Sequence, residues 1–271
     1  MALHLRPVAP QQGARWVRQG FRAFMLRPMG FCALLLGFFF TSLLVSVLIP
    51  LVGSVVSLMA LPLLSLGFMV ATESALRGGP VHPGQLVEPL VRSKARRGTL
   101  LKLCALYGVV TLAALLLSEL VIGDAWEHLR ALYASGQQAT PEQVKAVTED
   151  PRLVGGLGLQ AGLIALLSIP FWHAPALVLW GEQGVAQSLF SSTLAVWRSK
   201  GAFAVYSLVW LALTIVAGTL AALVFGLLGM GQFAPVAALP LALMGMTVFY
   251  ASLYFTFTDS FGAADTPATP A

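Results

Sequence analysis

The sequence predicts an all-α, polytopic membrane bundle with six spans. Three observations lead there. Only 10% of the residues are charged, against about 25% in an average soluble domain, and the mean hydropathy is +0.83. Long stretches carry no charge at all, notably from Phe31 to Ala71 and from Gly201 to Thr258. Each of those is long enough for two helices of the ~20 residues that a ~30 Å hydrocarbon core requires.

The spans are placed at about 30–49, 54–72, 102–122, 154–180, 202–226 and 236–258, in one membrane domain over 1–260. Ahead of the first, residues 11–27 have helical period. Arg15, Arg18 and Arg22 share one face, and Val17, Phe21 and Phe24 share the opposite one. That is the pattern of a helix lying in the membrane interface. No signal-peptide cleavage site stands out, so the first apolar run reads as an uncleaved span. Pro50 and Gly53 break the first charge-free stretch into two spans, and Pro62 lies in the second.

Residues 72–102 are basic, with Arg92, Lys94, Arg96 and Arg97 following a short apolar patch at Leu86, Val87, Leu90 and Val91. Residues 123–152 turn acidic and form a helical loop on the far side, with a helix start at Thr140-Pro141. The fourth span contains Pro170 and Pro175, which predict a kink. Gly158 and Gly162 share a face and suit close helix packing. Residues 184–198 are amphipathic, with Ala186, Leu189, Phe190, Thr193, Leu194 and Trp197 on one face and Gln187, Ser188, Ser191 and Ser192 away from it. Gly226, Gly229 and Pro235 mark the last turn. Residues 261–271 read as a disordered tail.

Six spans put both termini on one side, together with thirteen of the sixteen Lys and Arg residues. By the positive-inside rule that side is cytoplasmic, and 123–152 is periplasmic. The charge distribution is explained by topology and gives no reason to invoke nucleic acid. Cys32 and Cys104 lie in apolar runs, where no disulfide framework is expected. The basic stops at Arg27, Arg97 and Arg198 precede the odd-numbered spans. The returning spans carry Pro62, Pro170 and Pro240 and end near Glu73, Glu182 and Asp259. This grammar fits three tandem units, each a short helix plus two spans. It also fits three hairpins that look alike because topology makes them so.

Two groups of residues are candidates for function. Arg15, Arg18, Arg22, Arg92, Lys94, Arg96 and Arg97 suit anionic lipid headgroups. Pro170, His173, Pro175, Glu182 and Arg198 surround the break in span four, where a polar group at membrane depth marks a candidate site. There His173 is either functional or satisfied by a carbonyl freed at proline. Glu182 is expected to pair with a base such as Arg198 or Arg97. No catalytic set, metal-ligand spacing or cofactor motif is present in the sequence: GGLG at 155–158 lacks the Lys-Ser/Thr of a phosphate loop.

Phe171-Trp172…Pro175-Ala176-Leu177-Val178, with Gly184…Ala186…Ser188 after it, resembles an uncharacterised family of proteobacterial multi-pass inner-membrane proteins. The lead Gly13-Ala14-Arg15-Trp16…Gly20-Phe21…Phe24…Pro28 is similar to that family's start. The likeness spans roughly residues 11–260, and more distantly it resembles the membrane domain preceding some glycerophosphodiester phosphodiesterases. It implies a six-span inner-membrane protein and transfers no catalytic residue. The expected function is a non-enzymatic module interacting with the lipid bilayer, a protein partner or further copies of the chain. The alternative is a transporter or flippase of an amphipathic or neutral substrate. A transporter would show a membrane-depth cavity lined by Pro170, His173 and their neighbours. A module would show a packed interior.

Overall fold

A computed structural model describes residues 3–134, 145, 149–230 and 234–263. The chain is an all-α bundle. It starts with a short strand, β1 (Leu3–Leu5), and helix α1 (Gln12–Leu26). The first span is α2 (Pro28–Leu48). The chain turns at Ile49 alone (φ −137°, ψ 80°), because Pro50 can open the next helix without a backbone N–H. Helices α3 (Pro50–Met59) and α4 (Leu61–Leu76) follow, bent by 45° at Ala60 beside Pro62, and together make the second span. A 3-10 turn (Pro83–Leu86) and α5 (Glu88–Arg92) lead into α6 (Lys94–Ile122). Helix α7 (Ala125–Ala134) begins the loop; most of the rest of that loop, with the helix start at Thr140-Pro141, lies outside the described residues.

The fourth span is α8 (Pro151–Phe171) continued by α9 (Ala174–Leu179). Helices α10 (Val185–Arg198), α11 (Lys200–Leu227) and α12 (Ala234–Ser260) complete the bundle. Five spans of single or continued helix and the one bent pair are long and apolar enough to cross a membrane. The helices outrun the apolar segments: α6 starts at Lys94 rather than 102, because the basic flank continues the helix. Strand β2 (Phe261–Ala263) pairs antiparallel with β1, Leu5 opposite Phe261. This corrects the reading of 261–263 as tail. Phe261 is buried beside Phe257 and extends the core instead.

The three units share one order: short helix, outgoing span, returning span. Each short segment docks on the span pair before its own. The 3-10 turn lies on α2 and α4, and α10 lies mainly on α8 and α9 of span four and also touches α6. Helix α1 has no pair before it and docks on the last pair, α11 and α12. Helix α4, helix α9 and the second half of α12 fill the centre. α4 buries residues on every side, Leu64, Leu66, Phe68, Met69, Ala71 and Ala75 among them, while α2 buries only the face bearing Phe31, Leu34, Leu35 and Phe38. Both helices are apolar all round, so it is packing and not hydrophobicity that sets α4 inside and α2 at the edge.

Packing is concentrated at the end that carries both termini. Toward the opposite end the helices separate: from Leu211 to Leu227 only Ala221 of α11 is buried. Helices α6 and α8 stay together there, with Ile122, Ala125 and Leu153 in a small cluster. The glycine expected to pack closely on α8 is not Gly158 or Gly162, which have open space where a side chain would stand. Gly156 is the close contact, against Ile122.

Candidate functional site: the basic end and the break at His173

Span four breaks because a hydroxyl is inserted into its hydrogen-bond ladder. In an unbroken helix the His173 N–H would reach the Ile169 carbonyl. Instead it donates to Ser192 Oγ of α10 (3.0 Å), and Ser192 Oγ donates to Ile169 O (3.1 Å). Side-chain insertion of this kind bends helices. Pro175 then opens α9 in the first turn, where its missing N–H has no partner to lose.

The His173 ring is fully buried. Its Nε2 lies 3.2 Å from Thr256 Oγ1, and Trp172 Nε1 also lies 3.2 Å from that oxygen. Thr256 donates its single proton to Leu253 O (2.8 Å). The hydroxyl therefore accepts from both rings, which places the His173 proton on Nε2 and leaves Nδ1 as an acceptor. Nδ1 has no partner among the described residues. Phe203, Phe257 and Phe261 ring the imidazole at centroid distances of 5.9, 6.0 and 5.4 Å. The Nε2–H of His173 is thus satisfied by a threonine hydroxyl rather than by a proline-freed carbonyl, while Nδ1 is left without a partner among the described residues.

The five residues predicted around this break do not converge. Pro170 sits inside the last turn of α8, and Pro175 and His173 are buried in packing. Glu182 stands at the surface with φ +55°. Its partner is Arg96, at 2.6 Å, which also donates to the Glu182 carbonyl (3.2 Å). The expected pairing with a base is present, but the base is Arg96 rather than Arg198 or Arg97. Arg198 is exposed at the end of α10. Near the break is a cleft of about 160 Å³, lined by Pro62, Tyr107, Ser168, Phe171, Trp172 and Tyr250 among others. Neither Pro170 nor His173 lines it.

The cations divide by their partners. Arg77 pairs with Glu73 and Arg92 with Glu88, each at 2.7 Å one turn apart. Arg15, Arg18, Arg22, Lys94 and Arg97 are exposed and have no carboxylate partner among the described residues. The three arginines of α1 stand on a fixed helix. Its opposite face buries Trp16, Val17, Ala23 and Phe24. Trp16 Nε1 and Gln12 Nε2 donate to Asp259 Oδ2 at 2.8 and 2.7 Å. A side chain at Gly13 would strike the backbone of Ala202, and one at Gly20 would meet Ser252 Cβ at 2.6 Å. So the aromatic face of α1 packs on protein, where the sequence pattern suggested lipid. Sequence reasoning named Asp259 and Ser192 without their partners and did not single out Thr256. Only the Gly13–Gly20 spacing, on the same face as Trp16, signals the docking.

Fold and site define a polytopic helical membrane protein whose basic end is tightly packed. Over 276 aligned residues the chain is 31% identical to a probable inner membrane protein of Burkholderia thailandensis, covering 99% of this chain and 97% of the relative. The chain belongs to the family of that protein and is a multi-pass bacterial inner-membrane protein. No protein-family model and no solved structure matches it.

Proposed function

We propose that this protein is a non-enzymatic membrane module that binds anionic phospholipid headgroups at its basic end, which faces the cytoplasm. One observation carries the reading. Arg15, Arg18 and Arg22 are presented, without carboxylate partners among the described residues, on a helix locked to the bundle by Asp259. Fixed cations of one sign bind a charged surface without first ordering themselves. Lys94 and Arg97 form a second exposed pair, while Arg96 is committed to Glu182. The packed surroundings of His173 favour a module over a transporter.

Protein in neutral detergent, titrated with short-chain phosphatidylglycerol, tests this. Replacing Arg15, Arg18 and Arg22 by Gln is expected to weaken binding about a hundredfold, at about 1 kcal/mol per basic residue, and added salt should weaken the wild type in the same direction. Equal affinity in wild type and variant would sink the reading. For the orientation, a reporter enzyme active only in the periplasm, fused near Ser135, is expected to be active.

A further inference from the structure

We infer that a groove between α2, α3, α4 and the 3-10 turn holds one acyl chain of an anionic glycerophospholipid, whose phosphate lies at Lys94 and Arg97. The segment between α4 and α6 makes the groove by dipping into the bundle. It leaves the basic end at Gly78 and Gly79, whose carbonyls receive the Arg27 guanidinium. It then climbs α2, with Val81 against Gly30 and Pro83 against Gly37. Those glycines are two turns apart, so the climb is about 10 Å. Leu86 presses on Gly67 of α4, and α5 brings the chain back down to Lys94. The bend at Ala60 swings α3 away from the line of α4 and leaves a space of about 290 Å³.

The groove's chemistry selects its occupant. Phe38, Thr41, Val45, Val56, Leu64 and Val87 are among its walls, and none of the lining residues is charged. The few hydroxyls there are weak attractants: Ser57 already donates to Ser42 O (3.4 Å). An apolar chain fits, and an ion or a headgroup does not. From the groove an exposed apolar track, Val87 and Val91 at 54% and 67% exposure, leads toward the basic end. It finishes beside Lys94 and Arg97, which are exposed and lack carboxylate partners among the described residues. Arg92 next to them is held by Glu88. An apolar slot with free cations at its mouth complements a lipid that is apolar at one end and anionic at the other.

The sign of the headgroup rests on the function proposed above; the groove does not. Full-length protein is loaded with phosphatidylglycerol or phosphatidylcholine of equal chain length, and retained lipid is counted by native mass spectrometry. One phosphatidylglycerol is expected to survive delipidation, retained at least tenfold more than phosphatidylcholine. Thr41→Trp fills the slot and should cut retention of both lipids at least tenfold. Lys94→Gln with Arg97→Gln should abolish the preference but leave chain binding. Val56→Trp repeats the filling test from the opposite wall if the first variant does not fold. Unchanged retention in both filled variants overturns the groove. Equal retention of the two lipids by the wild type overturns the phosphate assignment. The arginine variants of α1 are a separate arm: their failure to alter affinity would count against the headgroup patch and leave the filled-groove result standing.

Discussion

Ser192 shows how much one hydroxyl can decide. It accepts from His173 N–H and donates to Ile169 O, so a gap in span four is closed by a neighbouring helix. Ser192→Ala leaves both backbone groups buried without a partner. The expected loss is about 1–3 kcal/mol, measured by unfolding in mixed micelles. Thr193→Ala is the control: that hydroxyl bonds back to Leu189 O on the exposed side, and its loss should stay within about 0.5 kcal/mol. Equal losses for the two would mean that the break does not depend on Ser192. Sequence reading located the break from Pro170 and Pro175 but could not see its cause. The partner is supplied by a residue nineteen positions away, on a helix whose packing face was not known.

That packing face is the lesson at the scale of the element. Helical period marks α10 as amphipathic, but not which side turns inward. In α10 the small polar side does: Ser188, Ser192 and Ala195 are buried, while Phe190 and Trp197 are 69% and 71% exposed. Between membrane helices the hydrophobic effect does not separate inside from outside, because lipid is as apolar as leucine. Small residues that permit close approach do. The same physics explains α1, whose Gly13 and Gly20 bring it against α11 and α12. Gly20→Leu is expected to lift α1 from the bundle and open it to limited proteolysis, with the spans intact. A variant as resistant as wild type would show that α1 stays docked without this contact. What was legible at this scale were the elements themselves: the charge gaps give the spans, the prolines give the breaks, and the basic stops give the helix starts.

Across the whole molecule, three similar hairpins become one body because each short segment crosses to a neighbouring pair. The basic-end halves of the returning spans, α4, α9 and the second half of α12, meet in the middle, while α8 is largely exposed. The sequence suggested three units in series. It did not reveal that the series closes on itself, since that depends on contacts between positions such as Trp16 and Asp259, 243 residues apart. The open far half and the compact basic half follow from the same arrangement. The short segments thicken only one end.

Closure by the first helix sets an order of events during synthesis. The surface that receives α1 belongs to α11 and α12, which are the last to leave the ribosome. Until then Trp16 lacks Phe203 and Tyr206 of α11, on which it packs, whereas Phe24 can already meet Phe31 of α2. The arginines and aromatic face of α1 have the pattern of an interfacial helix, but in the folded protein that face is docked. A chain ended before residue 200, which lacks both α11 and α12, should leave α1 open to protease, whereas the 271-residue chain should shield it.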